Sequence, residues 1–174
     1  MPNEILLNIL SNLIITDLIR CERLCKRIKA ITSDEIMRRQ KLSLDGIKLN
    51  SNIINKLILH NGKSLTVLDL RNCKGLSVYG VNPGVTPYKN LIKYCDELKE
   101  LNLTSTNLCR DSLNFLANNL TPSIVKLSLQ NLKYLHDKHV SVIVKRCSQI
   151  RTFDLCHTGK AINRSMFYLN ANII

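Results

Sequence analysis

Apolar positions recur along this chain with two different periods. Residues 2–13, PNEILLNILSNL, wind at about 100° per residue if helical. Ile5, Leu6, Ile9, Leu10 and Leu13 then share one stripe, which Leu7 and Ile14 widen, and Glu4, Asn8, Ser11 and Asn12 take the rest. A helix docked on its own core needs an apolar arc of only about 100°. This arc is roughly twice that, so the pattern predicts two contacts, one within the chain and one with another protein. Helical spacing continues through Leu18, Cys21, Leu24, Cys25, Ile28 and Ile31. Residues 1–38 read as three short helices, the second starting at Thr16 and Asp17. A unit of this size is too small to stabilise itself and leans on the rest of the chain.

From residue 39 the pattern changes. SLTVLDLRNC places Leu at 65, 68 and 70, and ELKELNLTST at 98, 101 and 103. SIVKLSLQNL has Ile124, Leu127 and Leu129, and QIRTFDLCHT has Ile150, Phe153 and Leu155. RQKLSLDG is a degenerate first copy, with Arg39 in the leading place before Leu42 and Leu44. The starts, 39, 65, 98, 124 and 150, are 26 residues apart except for one interval of 33. The extra residues fall in a Gly- and Pro-rich insertion at about 74–88. An exposed insertion of that length costs under about 1 kcal/mol in loop closure. Helix signals alternate with the strand signals: SNIINKLILHN, TPYKNLIKYCDE with Thr86 as cap and Pro87 first, RDSLNFLANNL, and HDKHVSVIVKRC. A strand L-x-x-L-x-L followed by a helix, at this period, is the pattern of a leucine-rich repeat. Each unit has an apolar strand face and an apolar helix face, neither of which is buried alone. The expected fold is α+β: a three-helix unit at 1–38, then a short α/β solenoid at 39–174 with about five repeats and a parallel sheet on its concave face. The final segment, with Met166, Phe167, Leu169, Ile173 and Ile174, reads as a last helix without a polar cap.

Bulk composition narrows the function. With 45% hydrophobic and 22% charged residues, the 174-residue chain affords a packed core, and 5% aromatics make that core aliphatic. The net charge of +12 favours acidic partners. Basic residues are spread along the chain without interleaved stacking aromatics, and the densest run, Arg20 to Lys29, alternates as an amphipathic helix does. Nucleic acid is therefore not expected as a partner. Residues 5–15 are too short and too interrupted to span a bilayer, so no membrane partner is expected either. Seven cysteines with no C-x-x-C pair fit neither a disulfide framework nor a zinc ribbon, and point to a reducing compartment, cytoplasm or nucleus.

The segment MPNEILLNILSNLIITDLIRCERLCKRIKAI resembles an F-box. Pro2, Glu4, Ile5, Ile9, Leu10, Leu13, Asp17, Leu18, Leu24, Cys25, Lys26, Ile28 and Ile31 fit the family pattern. Met1, Ile28 and Met37 replace its leading Leu and common Trp positions. An F-box followed by leucine-rich repeats is similar to the S-phase-kinase-associated-protein-2-like (FBXL) group. The resemblance implies a non-catalytic substrate receptor of an SCF-type (cullin–RING) ubiquitin ligase. It would hold a Skp-type adaptor, and through it a cullin, by Pro2, Glu4, Ile5, Ile9, Leu10, Leu18, Leu24, Cys25 and Lys26. The basic residues Arg20, Arg23, Lys26, Arg27 and Lys29 would steer an acidic adaptor. The alternative is a leucine-rich-repeat scaffold acting outside a ligase.

Residues between the strand leucines point to the concave face. Asp45, Asp69, Arg71, Asn102, Thr104, Ser128, Gln130, Asp154 and Cys156 are thus the candidate contacts for a protein substrate, on a small, polar, nearly charge-balanced surface. No catalytic, cofactor or metal site is expected. His136 and His139 have one-turn spacing beside Asp137 but lack further ligands, and read as a solvated helix start. Cys156 and His157 diverge if they lie on a strand, so they form no nucleophile pair. Cys95 and Cys147 resemble the buried cysteine of cysteine-containing repeats.

Overall fold

The computed structural model describes residues 2–47, 51–73 and 87–158. Three helices come first: α1 (Asn3–Ser11), α2 (Ile15–Cys21) and α3 (Lys26–Arg38). Strands and helices then alternate: β1 (Lys41–Ser43), α4 (Ser51–Asn61), β2 (Val67–Asp69), α5 (Pro87–Tyr94), β3 (Glu100–Asn102), α6 (Arg110–Asn119), β4 (Lys126–Ser128), α7 (Asp137–Arg146) and β5 (Thr152–Asp154). The five strands form one parallel sheet in chain order. Of the insertion expected at about 74–88, residues 74–86 lie outside the described residues, as do the Thr86 cap and the final segment at 159–174, while Pro87 and Tyr88 begin α5.

Each strand has only three residues, and only its middle side chain points inward. Those side chains are in register: Leu42 pairs with Leu68, Leu68 with Leu101, Leu101 with Leu127, and Leu127 with Phe153. The residues three before and two after form two further rows, Leu65–Leu98–Ile124–Ile150 and Leu44–Leu70–Leu103–Leu129, which are also buried. Helices cover these rows from one side, with α3 on α4, α4 on α5, α5 on α6 and α6 on α7. The architecture is thus mixed helix and parallel sheet, built from one strand–helix unit used repeatedly.

A second periodic feature holds the units together. Gly46, Asn72, Ser105, Asn131 and His157 all have positive φ, between 54° and 69°. They occupy the same place in successive units. This left-handed turn aims the backbone N–H at the next unit: Gly46 donates to Arg71 O at 2.8 Å, Asn72 to Thr104 O at 2.9 Å, Ser105 to Gln130 O at 3.0 Å and Asn131 to Cys156 O at 3.1 Å. One rung is added beyond each short strand. Glycine, Asn and His suit that conformation, whereas Ser bears some strain in it.

Helix against helix, α4 and α5 approach closely at Gly62, just past the end of α4. A Cβ at Gly62 would lie 2.7 Å from Tyr94 O and 2.9 Å from Tyr94 Cβ. Backbone there cannot yield cheaply, so Gly62→Ala is expected to cost about 1–3 kcal/mol through overpacking. Urea unfolding monitored by far-ultraviolet circular dichroism would register this as a lowered midpoint. An unchanged midpoint would show that the helices separate without cost.

Candidate functional site

The wide apolar arc of α1 divides in two. Leu6 and Leu10 are buried, and α3 packs against both α1 and α2 beneath them. Ile5 and Ile9, one position back in each turn, are 50% and 51% exposed. Leu24, in the turn between α2 and α3, is 69% exposed, and Ile14 is exposed as well. Pro2, Glu4, Cys25 and Lys26 also lie at the surface. Two expected contacts are corrected here: Leu10 and Leu18 are core residues, with Leu18 fully enclosed, and offer no surface to a partner. Periodicity places a residue on an arc without saying which edge of the arc faces inward.

Two arginines hold this unit in place. Arg27, at the start of α3, donates to Asn3 Oδ1 from Nε at 3.0 Å and Nη2 at 2.6 Å, joining the first turns of α3 and α1. Arg39 donates from Nη2 to Leu13 O at 2.7 Å and Ser11 O at 3.2 Å, the carbonyls that α1 leaves unpaired at its end. Glu35 is 3.9 Å from its Nε. The leading position of the first strand unit thus carries a cation because its neighbour is a helix end, not another leucine row.

The nine sheet-face candidates come together in three linked groups. Arg71 pairs with Asp69 at 2.8 Å and reaches Asp45 at 3.5 Å, and Asp69 raises the basicity of the guanidinium. Thr104 and Ser128 share a hydrogen bond of 2.8 Å, and Thr104 N donates to Asn102 Oδ1 at 3.0 Å. Gln130 donates to Asp154, whose other oxygen accepts from Cys156 N at 3.2 Å. Burial pushes the Asp154 carboxyl up. The hydrogen bonds from Cys156 and Gln130 outweigh this and hold it below its usual value. Asp69, Asn102 and Asp154 each fold a side chain back on the backbone N–H two residues on, fixing the exit of the strand. Much of this face is therefore already satisfied by its own chain.

Two other features differ from expectation. Cys156 and His157 sit in the turn after β5, not on a strand, and Asp154 pushes the Cys156 thiol up by hydrogen bonding to it, which disfavours the thiolate. His139 is buried rather than solvated. Its Nδ1 accepts from His136 N at 3.0 Å, so Nε2 carries the proton and donates to Asn114 Oδ1 at 2.8 Å. This residue locks the start of α7 to α6. Cys95 and Cys147 are buried, as is Cys73; burial pushes their thiols up, to about 12, about 11 and about 11 respectively. The seven cysteines are unpaired. Among the described residues no group of three or more His, Cys, Asp or Glu could hold a metal ion, and no helix is long and apolar enough to cross a membrane.

Residues 1–43 match the F-box-like family. The F-box-like domain thus spans α1 to α3 and runs on through β1, the stretch that Arg39 ties together. No curated protein matches the sequence. Among solved structures, the chain is similar to the tropomodulin C-terminal domain from Caenorhabditis elegans, with 14% identity and a TM-score of 0.55 over 80% of this chain and 89% of that one. At that identity the likeness concerns the fold alone.

Burial lowers the pKa of His139 from 6.5, and the charges of Lys138, His136 and Arg110 add to this. A proton on Nδ1 would also oppose the His136 N–H. Above the unfolded value both states are neutral and nothing is lost. As pH falls through about 6.5, the unfolded state takes the proton first and stability declines. Urea midpoints should fall between about pH 7 and pH 5. In His139→Gln that slope should flatten, and an equal slope would remove His139 as its source.

Proposed function

We propose that this chain is the substrate-recognition subunit of an SCF-type (cullin–RING) ubiquitin ligase. The F-box-like domain binds a Skp-type adaptor and, through it, a cullin. The strand–helix units are leucine-rich repeats stacked as a solenoid, and their sheet face presents a protein substrate. The chain contributes binding, not catalysis. Seven unpaired thiols suit the cytoplasm or nucleus, where such a complex would work.

One observation carries this reading: the family match falls on the segment whose first helix keeps Ile5 and Ile9 half exposed while Leu6 and Leu10 anchor it inward. With Leu24 nearby, they offer the apolar anchors from which a protein interface draws most of its energy. Arg20, Arg23, Lys26, Arg27 and Lys29 line α2 and the start of α3, all at the surface. They would speed encounter with an acidic adaptor more than they strengthen the complex.

Ile9→Asp should weaken binding to a purified Skp-type adaptor by at least about thirtyfold, equivalent to about 2 kcal/mol for one anchor. Ile9 is exposed, so the melting curve should stay in place. Undiminished adaptor binding by a folded Ile9→Asp protein would refute the assignment. Adaptor binding without cullin in the purified complex would favour a scaffold outside a ligase.

A further inference from the structure

Half of the chain's net charge comes from one stretch. Between Gly46 and Cys95 the basic residues are Lys48, Lys56, Lys63, Arg71, Lys74, Lys89 and Lys93, and the single acidic residue is Asp69. Seven against one is a net of +6, within the +12 of the whole. Asp69 and Arg71 are on the sheet face and paired with each other. The helices on the opposite side, α4 and α5, carry no carboxylate.

The fold gathers Lys56, Lys63, Lys89 and Lys93. Asn90 Nδ2 donates to Asn55 Oδ1 at 3.1 Å, and Gly62 abuts Tyr94. The helices therefore run side by side in the same direction, with residue 55 level with 90 and residue 62 close to 94. Lys56, Leu59 and His60 share one exposed ridge of α4 at i, i+3, i+4 spacing, and Lys63 follows, exposed, in the 3-10 turn Gly62–Ser64. Lys89 and Lys93, at i, i+4, form the neighbouring ridge and are also exposed. Leu59, between Lys56 and Lys63 in the chain, is 53% exposed.

We propose that the outer face of α4 and α5 is a docking surface for an acidic protein segment that carries an apolar side chain. Charge complementarity assigns the acidity: Lys56 on α4, Lys63 in the turn after it, and Lys89 and Lys93 on α5 outnumber the exposed carboxylates Asp96 and Glu97 just past α5, and attract an anion. Leu59 assigns the apolar anchor. It would seat a Leu, Ile or Phe of the partner while the lysines bracket the carboxylates on either side. The same features disfavour the other polyanions. Among the described residues of this face the aromatics are Tyr88, which is buried, and Tyr94, which lies half-buried beneath Lys93, with the ammonium 5.0 Å from its ring centroid. Neither ring is free to stack on bases. A single exposed leucine gives little purchase on a lipid surface, which rewards a broad apolar face. This surface lies opposite the sheet face and is separate from the exposed isoleucines of α1, so a partner here could bind together with the adaptor.

The test uses the full chain and a fluorescent oligoglutamate peptide with one central leucine, monitored by anisotropy at low and physiological salt. The expected result is saturable binding that weakens as salt rises. Lys56→Glu combined with Lys93→Glu should lower affinity at least about tenfold, and Leu59→Ser should lower it about threefold to tenfold with the salt dependence retained. The charge-neutral pair Lys56→Gln and Lys93→Gln should give an intermediate loss. All of these positions are exposed, and melting curves would verify that the variants remain folded. Oligothymidine and phosphatidylserine vesicles serve as competing probes. The proposal is overturned if the peptide does not bind saturably, if the folded reversed-charge variant binds it equally, or if either competing probe binds more tightly at the same salt. The Ile9→Asp variant should bind the peptide normally, which keeps this result independent of adaptor binding.

Discussion

The lateral stacking of apolar rows governs the rest of the structure. A three-residue strand has no stability of its own, and neither has a helix of eight to eleven residues outside its packing partners. Each becomes stable because the next unit buries the same row: Leu42 on Leu68 on Leu101 on Leu127. The left-handed turn after every strand is a consequence. Without the rung that Asn72, Ser105 and Asn131 donate to the next unit, three-residue ladders would hold the units at too few points. Ser105 accepts an unfavourable φ because the backbone hydrogen bond it donates to Gln130 and the buried rows around it over-determine it.

Stacking of similar units raises the problem of how the array begins. A first strand would present a bare leucine row and an unpaired edge. Here the leading residue becomes Arg39, which bonds the carbonyls of Ser11 and Leu13 at and just past the end of α1. The family match that runs through β1 agrees with this physical unit: helices and first strand are joined by hydrogen bonds and share one core. The exposed isoleucines of α1 are therefore held at a set position relative to the sheet face.

Aliphatic spacing made the sheet readable from the sequence. Leu-x-x-Leu-x-Leu at 26 residues specifies the period, the inward positions and the parallel connection, since each strand is separated from the next by a helix. SNIINKLILHN coincides with α4, residue for residue. Where hydrophobicity was the sole signal, the reading failed at the edges. Leu10 shares an arc with Ile5 and Ile9, and Leu18 continues the helical spacing on α2; only packing against α3 separates core from surface. His139 looked polar and solvated, yet a neutral imidazole with both nitrogens bonded is acceptable in a core. The positive-φ column was detectable as Gly46, Asn72 and Asn131 at equal places, but Ser105 and His157 dilute it. Arg39 looked like a defect in the first repeat because its partners are backbone carbonyls, which leave no trace in composition.

Charge is distributed by face more than by segment. The sheet face neutralises itself: Arg71 with Asp69 and Asp45, Lys126 with Glu100 at 3.9 Å, and Asp154 among hydrogen-bond donors. A ligand there must displace or share bonds already made, so recognition would rest on shape and on the few exposed groups, with little long-range attraction. The outer helices do the reverse. Their lysines carry long-range field, with no carboxylate on α4 or α5 to cancel it. The apolar helix α1 belongs to neither regime: its exposed isoleucines gain their energy only on contact, and gain most when water is excluded from both side chains together.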